Sequence, residues 1–216
     1  MAEPQTGPTA LPGWLQPVDD VARSVLPEQL SRFVPPPEGG RLSAVLILFG
    51  EGPAGPDVLL IERASTLSSH PGQPAFPGGA VDDTDVDVVA CALREAQEET
   101  GLDPAGVHVF GELPALFLPP SGFVVHPVLG WWREPSAVGV GDPGEVARVV
   151  RVPVAELVEP ANRCSVRHPS GFVGPGFAVQ DLLVWGFTAG LLSRLFALVG
   201  WERPWDPGVM RHLESW

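Results

Sequence analysis

Three glutamates within five residues of one helical segment set the tightest limit on how this chain can fold. The segment from residue 85 or 86 to residue 100 carries a helical pattern, with Val89, Ala92, Leu93 and Ala96 at spacings of three and four and Gly101 as its stop. At about 100° per residue, Glu95 and Glu99 lie about 40° apart and Glu98 lies about 60° from Glu95 on the other side. The three carboxylates thus share one sector beside the apolar stripe rather than opposite it. Like charges at this spacing weaken a helix, and these stand near its C-terminal end, where the dipole favours cations. Local helix stability does not account for them. A solvated helix end is one reading. A bound hard divalent cation is the other, because Mg²⁺ is held by one or two carboxylates while keeping waters and substrate phosphates.

The surroundings of this helix read as strands. Residues 42–49 form an apolar run of strand length, and the glycine-rich stretch before Asp57 leads to a second run at 57–63. Residues 64–79 form a loop ending in Phe76-Pro77-Gly78-Gly79, where glycine lets the backbone turn and approach a ligand without a Cβ. Further strand-like runs stand at 107–110, 123–132, 146–152 and 172–179, with a short helix at 154–158 stopped by Pro160. The last strong element reads as a helix starting near Asp181. Strands and helices alternate irregularly, which predicts an α+β fold with a mixed sheet.

Residues 41–200 are expected to form a single domain. Residues 1–40 read as an N-terminal extension, partly disordered or a short helix at 18–26 that ends at Pro27, and 201–216 as a C-terminal tail. The chain has 216 residues, of which 44% are hydrophobic, enough for one core. Its net charge is −13, and all thirteen basic residues are Arg. An acidic surface repels nucleic-acid phosphates, and the absence of Lys excludes a Schiff-base nucleophile or a phosphate-binding P-loop lysine. Metal ions would reconcile this charge with an anionic substrate. Cys91 and Cys164 cannot build a disulfide framework or a four-ligand zinc site. Residues 1–10 lack the basic start and apolar centre of a secretory signal. The apolar stretch at 182–201 contains Arg194, and an arginine at mid-bilayer costs at least about 2.5–3.5 kcal/mol. It is therefore expected as a buried helix, with no membrane partner and a cytoplasmic location.

The sequence Arg94-Glu95-Ala96-Gln97-Glu98-Glu99-Thr100-Gly101-Leu102, preceded by Phe76-Pro77-Gly78-Gly79, resembles the Nudix box. In that superfamily the box is a loop–helix–loop that binds Mg²⁺ or Mn²⁺ and cleaves a phosphoanhydride in a nucleoside diphosphate linked to another group. The resemblance implies a Nudix-like mixed sheet sandwiched between helices, with Glu95 and Glu99 as the chief metal ligands. It implies Glu98 as a further ligand or the general base, and Arg94 as the residue that holds a carboxylate in place. Asp85 stands where the pattern has Glu, and eight rather than seven residues separate it from Arg94. Many members place a later acid outside the box; Glu112 and Glu145 are the candidates, and Glu145 is preferred.

Leu59-Leu60, Arg63, Leu67, His70, Gly72-Gln73 and Phe76-Pro77-Gly78-Gly79, together with Val184-Trp185-Gly186-Phe187-Thr188-Ala189, are similar to the coenzyme A pyrophosphatase branch. That branch splits coenzyme A or its thioesters into 3′,5′-ADP and a 4′-phosphopantetheine product. The resemblance makes Arg63, His70, Phe76, Gly78 and Gly79 the expected substrate-binding residues. Ile61, Ala64 and Ser68 stand where the branch has Thr, Ser and Arg. Two alternatives stay open: a Nudix pyrophosphatase for ADP-ribose, dinucleotides or nucleoside triphosphates, and a non-catalytic Nudix-fold regulatory domain. A homodimer is compatible with the chain.

Overall fold

The computed structural model describes residues 10–36, 39–67, 71–119 and 121–213. The apolar run at 42–49 becomes its axis. It lies in β1 (Arg41–Gly52), which pairs antiparallel with β2 (Gly55–Arg63), Phe49 opposite Val58. On its other side β1 runs parallel to β7 (Phe123–Trp132), Arg41 opposite Phe123 and Phe49 opposite Trp131. A strand bonded along both edges has only its two faces left to bury, and successive side chains alternate between them. Ala44, Leu46 and Leu48 enter one core cluster while Ile47 and Phe49 enter another. One apolar run therefore serves two cores.

The smaller core is closed by α3 (Val88–Thr100), which buries Cys91, Ala92 and Ala96. The larger is closed by α5 (Gly186–Leu198) through Leu191, Leu192, Leu195 and Phe196. It also takes Val18 of α1 (Gln16–Ala22) and Leu30 of α2 (Pro27–Leu30). The main sheet is completed by β5 (Val107–Glu112) and β6 (Leu116–Leu118) on β7, and by β4 (Gly78–Ala80) on β1. On β2 it adds β3 (Pro74–Ala75) and β8 (Val146–Pro153), the latter leading into α4 (Val154–Leu157). A second sheet has the order β11 (Leu182–Val184), β10 (Val173–Val179), β9 (Arg163–Arg167), β12 (Met210–His212). The result is one α+β domain, a mixed sheet sandwiched between helices.

Two element boundaries differ from the sequence reading. The helix expected near Asp181 begins at Gly186, and residues 182–184 are a strand. Gln180 and Asp181 both adopt left-handed backbone angles (φ 48° and 61°), closing a two-residue hairpin in which Val179 pairs with Leu182. The strand and helix are both apolar and adjoin, so no periodicity separates them. Near the N-terminus, α1 ends at Ala22 and Pro27 starts α2 rather than simply ending a helix, because proline fits a first helical turn. Among the described residues, no helix is long and apolar enough to cross a membrane.

Arg163 in β9 is the largest buried charge, its side chain fully shielded from solvent. Its guanidinium lies 4.4 Å from the Phe177 ring centre and 4.5 Å from that of Trp205. It donates to Ser193 Oγ at 2.8 Å and pairs with Glu202 at 3.4 Å. It thereby ties α5 and residues 202–205 to the second sheet. Nε and Nη1 find no partner among the described residues, so the charge is held mainly by the two ring faces. Arg163→Ala is expected to cost about 2–4 kcal/mol in urea unfolding, through lost packing and cation–π contacts. Arg163→Met, which keeps the packing and removes two unpartnered N–H groups, is expected to stay within about 1 kcal/mol of wild type.

Candidate active site

The site starts from a short stretch of backbone pairing. Residues 78–80 add to the first half of β1, with Ser43 opposite Ala80, Ala44 opposite Gly79 and Val45 opposite Gly78. Leu46 N–H donates to the Pro77 carbonyl at 2.8 Å and Val81 N–H to the Leu42 carbonyl at 3.0 Å. At Gly78 a Cβ would collide with the Ala44 carbonyl oxygen and lie 2.7 Å from Val45 Cα. At Gly79 a Cβ would lie 2.5 Å from the Glu95 carboxylate. The first glycine admits the neighbouring strand; the second leaves the space that an acid of α3 fills.

That helix begins where Asp87 Oδ1 accepts the Ala90 N–H at 2.7 Å, which frees residues 85 and 86 for the preceding loop. Gly101 ends it in the left-handed conformation. Glu99 is only 2% exposed and accepts the Gly78 N–H at 2.9 Å. Burial pushes its carboxyl up to about 8; the Gly78 hydrogen bond and Arg63 oppose this, and Glu95 and Glu145 add repulsion. Burial also raises Glu95, against the opposing pull of Arg94 and with added repulsion from Glu98 and Glu145. Glu98 is 59% exposed and points its carboxylate to Arg94 Nη1 at 3.0 Å. The structure therefore brings Glu95, Glu99 and Glu145 into one electrostatic neighbourhood and leaves Glu98 at its outer edge.

Arg94 organises the acids. It meets Asp85 in a two-pronged pair, Nε to Oδ1 and Nη2 to Oδ2 both at 2.9 Å, and reaches Glu95 Oε1 at 2.8 Å. Asp85 also accepts the Asp82 N–H at 2.8 Å. These bonds, Arg94 first, hold the Asp85 carboxyl well below the usual range.

The other expected residues divide. Glu145 stands in the loop before β8, its carbonyl accepting the Ala64 N–H at 2.8 Å. Arg63 ends β2 beside Glu99, and its Nε is buried with no hydrogen-bond partner among the described residues. Phe76 is corrected: it is 2% exposed and packs in the larger core, so it anchors the bend rather than meeting a substrate. His70 and Ser68 lie outside the described residues. Sequence reasoning missed Gly139 and Gly141, whose N–H groups donate at 2.9 Å to the Thr100 and Glu99 carbonyls. They join the end of α3 to the loop that carries Glu145. Only a long-range backbone contact makes that link, and no local pattern announces it.

A divalent cation fits these residues. Glu99 is a buried carboxylate that, among the described residues, has no ion-pair partner, and Glu95 fills a cradle that a Cβ would close. Hard oxygen donors suit Mg²⁺ or Mn²⁺, and Mg²⁺ needs only one or two carboxylates. Among the described residues no group of three or more His, Cys, Asp or Glu side chains is assembled as a metal site.

The NUDIX domain family model matches residues 40–170, which include β1, the bend, all of α3 and Glu145. The chain belongs to the Nudix hydrolase family. An uncharacterized Nudix hydrolase NudL of Cronobacter sakazakii is 42% identical over 171 residues, 76% of this chain and 85% of that one. A protein of the same description from Escherichia coli is 37% identical over 167 residues, 74% and 83% of the two chains. The crystal structure of a NUDIX hydrolase from Alicyclobacillus acidocaldarius shares the fold, with a TM-score of 0.50 and 18% identity over 76% of this chain and 93% of that one. Nudix hydrolases act on diphosphate bonds in small molecules and generally use divalent metal ions.

Two glycine variants separate stability from chemistry. Gly78→Ala is expected to lose about 3 kcal/mol of stability, because its Cβ strikes backbone. Gly79→Ala meets only a movable carboxylate, so it should melt close to wild type while losing about 100-fold in kcat through the misplaced acid. Asp85 adds a pH signature. With its folded pKa depressed, its contribution is full above the unfolded value near 3.9 and is lost as pH falls from there through the lower folded value. Melting temperatures of wild type and Asp85→Asn should therefore differ at pH 7 and converge in acid.

Proposed function

We propose that this Nudix hydrolase cleaves the diphosphate of coenzyme A or its thioesters, giving 3′,5′-ADP and a 4′-phosphopantetheine product. The observation that carries the hydrolytic reading is the buried Glu99, held by the Gly78 N–H of the glycine bend and within electrostatic reach of Glu95 and Glu145. The substrate follows from the similarity of residues 59–79 and 184–189 to the coenzyme A branch. Two of the three departures from that branch, Ile61 and Ala64, are buried side chains.

Held by Glu95 and Glu99, with Glu98 as a further ligand, Mg²⁺ or Mn²⁺ would offset the diphosphate charge and acidify a bound water. Arg63, whose Nε has no partner among the described residues, would receive a phosphate oxygen and lower the cost of bringing a polyanion to an acidic chain. Glu145 or Glu98 would accept the proton of the attacking water. Glu145 is preferred, since it lies within electrostatic reach of both Glu95 and Glu99 from a separate loop while Glu98 is paired with Arg94. Arg94, fixed by Asp85, would keep Glu95 oriented while leaving Glu99 free of an ion pair.

Incubation with coenzyme A, acetyl-coenzyme A, NADH, ADP-ribose and dGTP plus Mg²⁺ or Mn²⁺, followed by separation of products, tests the reading. Coenzyme A should yield 3′,5′-ADP, and chelator should abolish it. Glu99→Gln should lose more than about 100-fold in kcat, since even an outer-shell partner of a metal ligand is worth about 10–100-fold. It should melt at or above the wild-type temperature, because the amide is buried without the proton that Glu99, raised to about 8, must take up on folding at neutral pH. Turnover of dGTP or ADP-ribose without action on coenzyme A would replace the substrate, and full activity in Glu99→Gln would remove the site.

A further inference from the structure

We infer that Trp185 and His168 form the platform on which the nucleobase of the substrate stacks. This rests on the reading of Glu95 and Glu99 as the hydrolytic centre. The two rings are parallel to within 26°, with centres 5.6 Å apart, and both residues are half-buried. Core packing does not explain the indole. Trp185 belongs to neither core cluster and packs against neither, whereas Phe187, two residues on, packs against the larger and Trp132 is buried in the smaller. A large aromatic side chain that misses the core yet is held face to face with a second ring is a surface for another planar group.

The imidazole is fixed for that use. His168 Nδ1 receives the Ser170 N–H at 3.1 Å and lies 2.7 Å from Ser170 Oγ. With Nδ1 engaged as acceptor, the neutral ring carries its proton on Nε2 and offers it as a donor to a base edge. The ring sits at the β9–β10 hairpin, where His168 N–H donates to the Phe172 carbonyl at 2.8 Å and closes the turn.

The platform joins the catalytic rim through a short chain of contacts. Trp185 immediately precedes Gly186, where a Cβ would lie 2.8 Å from Gln73 Nε2. The Gln73 carbonyl accepts the Arg63 N–H at 3.1 Å, and Arg63 stands beside Glu99. A nucleoside diphosphate laid along this rim would meet an aromatic surface at its base, Arg63 at its phosphates and the α3 acids at its scissile bond. The charge and the ring faces lie in the order that such a molecule presents them. A pantetheine arm carries amides but no aromatic ring to match the stack, so the platform is assigned to the nucleotide half.

The test measures binding of ADP and of inorganic pyrophosphate by calorimetry to wild type, Trp185→Leu, Trp185→Phe and His168→Ala, with melting temperatures as a fold check. Trp185→Leu should weaken ADP by about 5–150-fold, the value of one base stacked on an aromatic side chain, and leave pyrophosphate unchanged. Trp185→Phe should keep most of the ADP affinity, and His168→Ala should fall between. With coenzyme A as substrate, Trp185→Leu should raise KM by a similar factor with kcat within about twofold, since only uniform binding is removed. No ADP binding by wild type, unchanged ADP binding in Trp185→Leu, or equal weakening of ADP and pyrophosphate would each overturn the inference. Wild type that binds ADP through Trp185 but hydrolyses no diphosphate would remove the proposed function and leave the platform standing.

Discussion

The pairing of residues 78–80 along β1 is the constraint on which the rest of the site depends. It places a loop backbone so close to a central strand that only glycine fits at 78, and it aims the Gly78 N–H at an acid one layer away on α3. Because β1 is itself buried on both faces, the loop end cannot move without disturbing both cores. The cost of placing Glu99 in a nearly dry setting is thus carried by the sandwich as a whole. A carboxylate so buried, with one neutral donor, holds unspent affinity for positive charge.

Arg94 and Asp85 show how that affinity is kept from being satisfied within the protein. Arg94, if not committed elsewhere, would be free to pair with the acids of its own helix. Here the guanidinium is committed to Asp85 by two bonds of 2.9 Å, and it reaches Glu95 and Glu98 with its remaining face while sparing Glu99. The acid that differs from the box pattern is therefore the one that sets the arginine's reach.

The strands and the acidic helix were legible from local pattern. The run at 42–49 had the length of a strand, and the stripe of Val89, Ala92, Leu93 and Ala96 had the spacing of one side of a helix. The boundary at residue 186 was not legible, because a strand and a helix of equal hydropathy adjoin there and only the left-handed turn at 180–181 separates them. Phe76 was misjudged for a related reason: a motif fixes residue type but not direction, and this ring points into the core.

The residue types and spacings along the chain determined the box helix, its glycine bend and the membership of acids in one helical sector, since these follow from 3.6 residues per turn and the absence of a Cβ. Only the tertiary structure decided which acids are dry. Glu95 and Glu99 differ from Glu98 by neither type nor helix, and what separates them is the strand pairing that lies over two of the three. The same holds for Glu145 and the Trp185–His168 stack, which reach the rim from loops far away in sequence. Burial is a property of neighbours brought together by folding, and no window of sequence contains it.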